Sequence, residues 1–406
     1  MKALSKITDH MLRRTIRLGL PLALSLTVLS ACSDDDAIET PATEAPAKPD
    51  FYFGADLSFT NQVSDHGGVY KDAGAAASSY TILTDHGTNL VRLRLWHNPT
   101  WTNAGYGNAG PLYNNLADVE KSIRASKEQG AEVLLDFHYS DTWADPGAQD
   151  VPAAWLNITD AAVLNDSVYR YTLKVLTHLK GKDLLPEFVQ IGNETNGGMV
   201  YTKAPAGFPV ASLEHMNVLA GFINSAVKAV REVSATGDIK TKVILHVANP
   251  VNVDYWFTKV TGEGGVSDFD IIGFSYYPLW HTFIKPDQIA DNVAAFKAKF
   301  GKDVMIVETA YPWTTQWADN YSNAMGGETP LTGYPFTQQG QYDYLVALTQ
   351  AVKTGGGIGV IYWAPDWITS QMNDGTATGS SYENAALFDY TGNVILGANY
   401  ARYSYK

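Results

Sequence analysis

The 406-residue sequence predicts an α/β chain that closes into a single (β/α)8, or TIM, barrel. Three observations predict it. Eight short β-rich runs recur along the chain, helical patterns lie between them, and the polar residues of those apolar runs gather at their C-terminal ends. Strands alternating with helices over roughly 350 residues are what such a barrel needs, and barrel enzymes carry their chemistry at the C-terminal strand ends. An open doubly wound sheet competes, but no glycine-rich phosphate loop follows the first run. No short internal repeat is visible.

The first 31 residues read as a targeting segment. Lys2, Lys6, Arg13, Arg14 and Arg17 form a basic region, followed by the apolar run LGLPLALSLTVL, which is too short to span a membrane as a mature helix. The run leads into LSAC, which resembles a bacterial lipobox and implies cleavage before Cys32 and lipidation of its sulfur. Cys32 is the single cysteine, so the mature chain has no disulfide to form. Residues 32–50 are acidic and rich in Pro and Ala, without apolar periodicity, and read as a solvated tether. The catalytic domain is expected over 51–406. These features imply an exported protein, lipid-anchored at the cell envelope, at the outer membrane or cell surface, and otherwise a monomer.

From Phe51 onward the candidate strands are YFGADLSF, NLVRLRLW, EVLLDFHY, FVQIGNE, KVILHVA, DIIGFSYY, VMIVETA and GVIYWAP. The helical pattern ADVEKSIRASKEQG ends on Gly130, a residue suited to a helix C-terminus. SLEHMNVLAGFINSAVKAVREVSA has apolar residues at helical spacing, and QGQYDYLVALTQAVKTGGG stops in glycines. With 45% hydrophobic and 17% charged residues the chain can bury a large core. Aromatic residues reach 12%, including 10 Trp and 23 Tyr, more rings than a core absorbs completely, so some face a cleft. A net charge of −13 argues against nucleic acid as partner and leaves a neutral polysaccharide open.

The strand ends supply the candidate site. The first ends near Asp56. The second carries Arg92 and Arg94 on one face, and the third Asp136 and His138, followed by Asp141 and Trp143. The fourth ends on Asn193 and Glu194, the sixth in SYYPLWH with Tyr277, the seventh on Glu308 and the eighth on Trp363. Two glutamates facing each other across a barrel mouth suit glycoside hydrolysis with retention, in which the carboxyls stand roughly 5–5.5 Å apart. Arg92 and Asp136 are expected in a buried ion-pair layer, and Arg94 to orient Glu308 and favour its ionised form. His138 and Asp141 have no His-X-His pair beside them and point to substrate contact rather than metal. Trp143, Trp155, Trp280, Trp313 and Trp367 are candidate cleft walls.

On GADLSF, VRLRLWHNP, DFHYSDTWADPGAQDVPAAW, QIGNETNGGM, GFSYYPLWH and IVETAYPW the sequence resembles the endo-β-1,4-galactanases of glycoside hydrolase family 53. The resemblance spans most of residues 51–406. It implies that Glu194 is the acid/base, Glu308 the nucleophile, Trp363 the floor beneath the cleaved sugar, and β-1,4-galactan of plant pectin the substrate. Asp56, Arg94, His138, Asp141, Trp143, Asn193 and Tyr277 are expected to contact it. A surface glycan-binding lipoprotein that kept the barrel without catalysis is the alternative. The resemblance also implies a structural Ca²⁺ between the loops QWADNYSNAMGG and TGSSYENAALFDY, with Asp319, Tyr321, Asn323, Ser380 and Glu383 as ligands. Trp317 stands where the family has a first Asp, and Glu383 replaces a shorter Asp.

Overall fold

The computed structural model describes residues 49–406. Cys32 and the residues expected to form the targeting segment, and the tether up to residue 48, lie outside the described residues. Eight parallel strands form a closed barrel in chain order. They are β1 (Tyr52–Asp56), β2 (Leu90–Leu95), β3 (Glu132–Phe137), β4 (Phe188–Ile191), β5 (Lys242–Ala248), β6 (Ile271–Ser275), β7 (Asp303–Thr309) and β8 (Gly359–Tyr362). Closure comes from β8 on β1, where Tyr52 pairs with Gly359 and Ala55 with Tyr362.

Side chains alternate along each strand. Leu90, Leu134, Phe188, Ile244, Ile271 and Met305 fill the lower barrel interior. One step further toward the C-terminal ends, the same faces carry Arg92, Asp136, Gln190 and His246, all buried. The barrel thus has an apolar floor under a polar layer. The intervening residues, such as Val91, Leu93, Val133 and Leu135, face outward into the larger core under the helices.

Seven helical layers follow the first seven strands. After β1 come the short helices α1 (Thr60–Asp65) and α2 (Ser79–Asp85); then α3 (Leu116–Glu128), α4 (Ala161–Lys180), α5 (Met216–Ser234), α6 (Val253–Gly262), α7 (Ile289–Phe300) and α8 (Gln338–Thr354). The expected helices are present, and Gly130 takes a left-handed φ of +80° just past α3. The side chains of Asn115, Asp160 and Thr337 accept amide N–H groups in the first turns of α3, α4 and α8. After β8 the layer is closed by a 3₁₀ segment, Leu396–Arg402, packed on α8. Most strands end one to three residues earlier than the apolar runs suggest. Among the described residues no helix is long and apolar enough to cross a membrane.

Candidate active site

A cleft of about 550 Å³ opens at the C-terminal end of the barrel. Glu194 and Glu308 both line it, but their carboxyls reach it by different local devices. Beyond β4 the chain turns at Gly192 and places Glu194 at a left-handed φ of +46°, a conformation that costs a non-glycine residue on the order of 1–2 kcal/mol. Neighbouring contacts hold it there. The Glu194 amide donates to His246 Nδ1 (3.2 Å), and the Thr195 amide donates to the His246 carbonyl (2.9 Å). Glu308 lies inside β7, where the register with β6 and β8 shifts. Val307 belongs to the barrel interior, so in a regular strand its neighbour would face outward. The bulge re-aims Glu308 into the cleft.

The two carboxyls have opposite surroundings. Glu308 Oε1 lies 2.8 Å from the Arg92 guanidinium, and Oε2 accepts the Tyr277 hydroxyl (2.9 Å). Among the described residues, Glu194 Oε1 accepts only the Ser275 hydroxyl (2.5 Å). Desolvation and then the Glu308 charge push Glu194 up to about 8. Burial also pushes Glu308 up, but Arg92 and Tyr277 oppose that rise. Glu308 is therefore the first of the two to ionise, and its charge keeps the proton on Glu194.

Arg92, not Arg94, is the cation that orients Glu308. Its guanidinium also meets Asp56 Oδ2 and Asp136 Oδ2, both at 2.7 Å, and Asn193 Oδ1 at 2.7 Å. The expected buried ion-pair layer thus exists and includes Glu308. Arg94 lines the cleft with its guanidinium against the rings of Phe59, Trp96 and Trp143 at 4.1–4.9 Å. Its Nε and one terminal nitrogen have no hydrogen-bond partner among the described residues. The alternation of β2 explains the exchange: both arginines face the same way, and the inner one sits at the height of the Glu308 carboxyl.

The remaining expected residues divide. Asp56, His138, Trp143, Asn193, Tyr277 and Trp363 all line the cleft. His138 has both nitrogens engaged: Nδ1 accepts from Trp96 (3.1 Å) and the Ala144 amide (3.2 Å), and Nε2 donates to Asp136 (3.0 Å). It holds the ion-pair layer and has no nitrogen left for a sugar hydroxyl. Asp141 does not line the cleft. Its oxygens accept the amides of Asn98 (2.8 Å) and Ala153 (2.7 Å), tying two rim loops together. Trp280 and Trp367 line the cleft with Trp143 and Trp363. Trp155 instead packs against Tyr139, Tyr171 and Phe222, and Trp313 against Tyr390.

Sequence reading missed Gln190, His246 and Ser275. His246 Nδ1 accepts from Gln190 (3.0 Å) and the Glu194 amide, which places its proton on Nε2. That nitrogen donates to Ser275 Oγ (2.9 Å), and Ser275 donates onward to Glu194. Burial and Arg92 hold His246 well below the usual imidazole range, so it stays neutral. Its parity with Ile244 in KVILHVA was the available signal.

The loop after β7 and the loop after β8 do meet, but the donor set does not fit a calcium cage. Asp319 accepts the amides of Tyr321 (2.7 Å) and Ser380 (2.8 Å). Glu383 accepts the Ala318 amide (2.6 Å) and the Thr369 hydroxyl. Ser380 Oγ donates to the Trp367 carbonyl (2.5 Å), and Asn323 donates to the Gln316 carbonyl (3.3 Å); among the described residues only Asn323 Oδ1 and the Tyr321 carbonyl, of the expected ligands' remaining oxygens, receive no donor. The carboxylates face N–H and O–H dipoles where a cage needs the cation.

Comparison with known proteins agrees with this geometry. The family model described as glycosyl hydrolase family 53 matches residues 52–399. An arabinogalactan endo-β-1,4-galactanase of Cellvibrio japonicus (strain Ueda107) is 42% identical over 84% of this chain and 87% of its own length. An endo-β-1,4-galactanase of Bacillus subtilis (strain 168) is 31% identical over 87% of this chain and 86% of its own. Among solved structures, the GH53 catalytic domain of Ignisphaera aggregans superposes with a TM-score of 0.76 at 30% identity, covering 89% of this chain and 98% of that one. The chain belongs to glycosyl hydrolase family 53.

Proposed function

We propose that this chain is a retaining endo-β-1,4-galactanase acting on the type I (arabino)galactan side chains of pectin. The observation that carries the chemistry is the unequal environment of Glu194 and Glu308 in one cleft. The names of the Cellvibrio and Bacillus relatives support the substrate.

In the first step the ionised Glu308 carboxylate forms a bond to the anomeric carbon. The bond from that carbon to the leaving oxygen breaks, and the Glu194 proton goes to that oxygen. Forming the ester removes the Glu308 charge that held the Glu194 proton, so Glu194 is now poised as a base. In the second step it takes a proton from water as the water oxygen attacks the anomeric carbon, and Glu308 leaves as a carboxylate toward Arg92 and Tyr277. Two inversions at one carbon give retention. Arg92 and Tyr277 act as positioning residues, and the Gln190–His246–Ser275 chain fixes the direction of the Glu194 carboxyl.

Release of reducing ends from linear β-1,4-galactan, measured against a panel of other polysaccharides, tests the reading. Activity on galactan is expected. Binding without hydrolysis would identify a glycan-binding protein instead.

For its place in the cell, we infer export, lipidation at Cys32 and a monomeric enzyme tethered at the envelope, at the outer membrane or cell surface. The basic region, apolar run and LSAC motif support this. Cys32→Ala should move the protein from the membrane fraction to the soluble one; a variant that still pellets would reject the anchor.

A further inference from the structure

Arg94 is a buried cation that the mechanism above leaves without a role. Arg92, two residues earlier on β2, meets three carboxylates. Among the described residues Arg94 forms no ion pair, and its Nε and one terminal nitrogen have no hydrogen-bond partner. Burial pulls it down to about 10, opposed by the charges of Asp56 and Asp366, so it is still a cation at neutral pH. A buried charge with orphaned N–H groups is a cost to folding. An apolar side chain of similar length would carry no such cost, so stability does not explain the arginine.

The guanidinium is surrounded by rings. Its carbon lies 4.1 Å from the Phe59 ring centre, 4.3 Å from Trp143 and 4.9 Å from Trp96. The Phe59 and Trp143 rings stand 6.1 Å apart at 38°, and the guanidinium fills the angle between them. Ring faces attract a cation, more strongly where water is excluded. Phe59 is itself stacked on Trp367 (4.1 Å, 20°). A row of contacts, Trp367 to Phe59 to Arg94 to Trp143, therefore runs from the loop after β8 to the loop after β3, and the tryptophans at both ends line the cleft. The two ends are held differently. Trp367 Nε1 donates to the Gly379 carbonyl (3.2 Å). The Trp143 indole has no such bond among the described residues, so ring contacts and the Arg94 cation set its angle.

We propose that Arg94 is a positioning residue that sets the Trp143 wall of the cleft through its cation–ring contacts, and that it does so without touching the sugar or the catalytic carboxyls. This rests on the galactanase reading, and it replaces the direct substrate contact expected of Arg94 by an indirect one.

A double-variant cycle separates the indirect role from a direct one. Kinetics on linear galactan, their pH dependence and melting temperatures are measured for Arg94→Met, Arg94→Lys, Trp143→Ala and each arginine variant combined with Trp143→Ala. Arg94→Met fills the space without charge. Arg94→Lys keeps a charge, but a compact and strongly hydrated one that does not fill the angle between the rings. Each should lower kcat/KM about 3–30-fold, the span of one cation–ring contact, mainly through KM. Without Trp143 the arginine should no longer matter, so the double variants should fall within about twofold of Trp143→Ala. The alkaline limb of the pH profile should stay where the wild type has it, and Arg94→Met should melt no lower than the wild type. Losses that multiply in the double variants would show that Arg94 meets the substrate itself and would overturn the proposal. A displaced alkaline limb, an unmoved kcat/KM, or a loss that follows a lowered melting temperature in Arg94→Met would overturn it too. Should Arg94→Lys fail to fold, Arg94→Met alone completes the cycle. Wild-type protein inert on galactan would overturn the functional reading itself, a distinguishable failure that takes this inference with it.

Discussion

Glu194 and Glu308 are the same side chain in two environments, and the difference is electrostatic. Glu308 has a guanidinium and a phenol as donors; Glu194 has one hydroxyl and a neighbouring negative charge. Glu194→Gln keeps the shape and removes the proton, so galactan hydrolysis should fall by about 10²–10⁴-fold. An aryl galactoside with a good leaving group should lose less in the glycosylation step; equal losses in that step would reject the assignment. In the wild type, kcat/KM should decline on the alkaline side near pH 8 as Glu194 ionises, and the variant should lack that limb. Arg92→Ala tests the other half. It leaves Asp56, Asp136 and Glu308 without their buried cation, and should destabilise by about 3–5 kcal/mol, visible as a lower urea midpoint. Arg92→Lys restores charge but not the planar fork that reaches several carboxylates at once, so it should recover only part. The glutamates were legible in the sequence because each follows an apolar run. Which arginine serves Glu308 was not, because both lie on one strand face and only the height of the β7 bulge decides between them.

At the scale of elements, four left-handed non-glycine residues follow barrel strands closely: Tyr139, Glu194, Asn249 and Ala364. Each turns the chain sharply at the rim where the cleft forms. Apolar periodicity cannot reveal such turns, which is why the runs overestimate strand lengths. The eighth layer was also hidden, since a 3₁₀ segment lacks the sustained 3.6-residue pattern that marked α3, α5 and α8. The clamp between the loops after β7 and β8 illustrates a different limit. Oxygen-bearing residues at suitable spacing predict that two loops meet, but not whether an ion or an amide lies between them. Asp319 spans the junction by accepting the Ser380 amide. Asp319→Ala should therefore lower the melting temperature equally with and without EDTA, while EDTA alone leaves the wild type unchanged. A wild-type melting temperature that falls in EDTA and recovers with Ca²⁺ would show that a cation shares the clamp.

For the whole molecule, the polar layer that makes the barrel an enzyme also shapes its stability against pH. Several buried carboxyls, Glu194 and Asp366 most strongly, ionise at higher pH in the folded chain than in the unfolded one. Glu194 moves from 4.5 to about 8, through desolvation first and the Glu308 charge second. Asp366 moves from 3.8 to about 7, mainly through desolvation; its Oδ2 accepts the Thr60 hydroxyl and its Oδ1 has no hydrogen-bond partner among the described residues. Across this window the folded state keeps protons that the unfolded state has released. These carboxyls lower stability as pH rises from about 4 toward 8, whereas His246, His281, His97 and His66, held below the usual imidazole value of 6.5 by burial, raise it up to about that pH. An ion-paired carboxylate with a lowered value gives the opposite slope, but the clearest example here, Glu120, pairs with the exposed side chains of Lys182 and His178 at the surface and contributes little. Above about pH 6.5, where the imidazoles of the unfolded chain are already neutral, the melting temperature should fall toward pH 8. Asp366→Asn and Glu194→Gln each replace a titrating carboxyl by a neutral amide of similar shape, so each should flatten its part of the slope. Near pH 5 the variants should melt close to the wild type, and at pH 8 they should melt above it, with the double variant highest. Melting curves at half-unit steps from pH 4.5 to 8.5 decide the matter, and variant profiles parallel to the wild type throughout would mean that neither carboxyl carries its proton into this range.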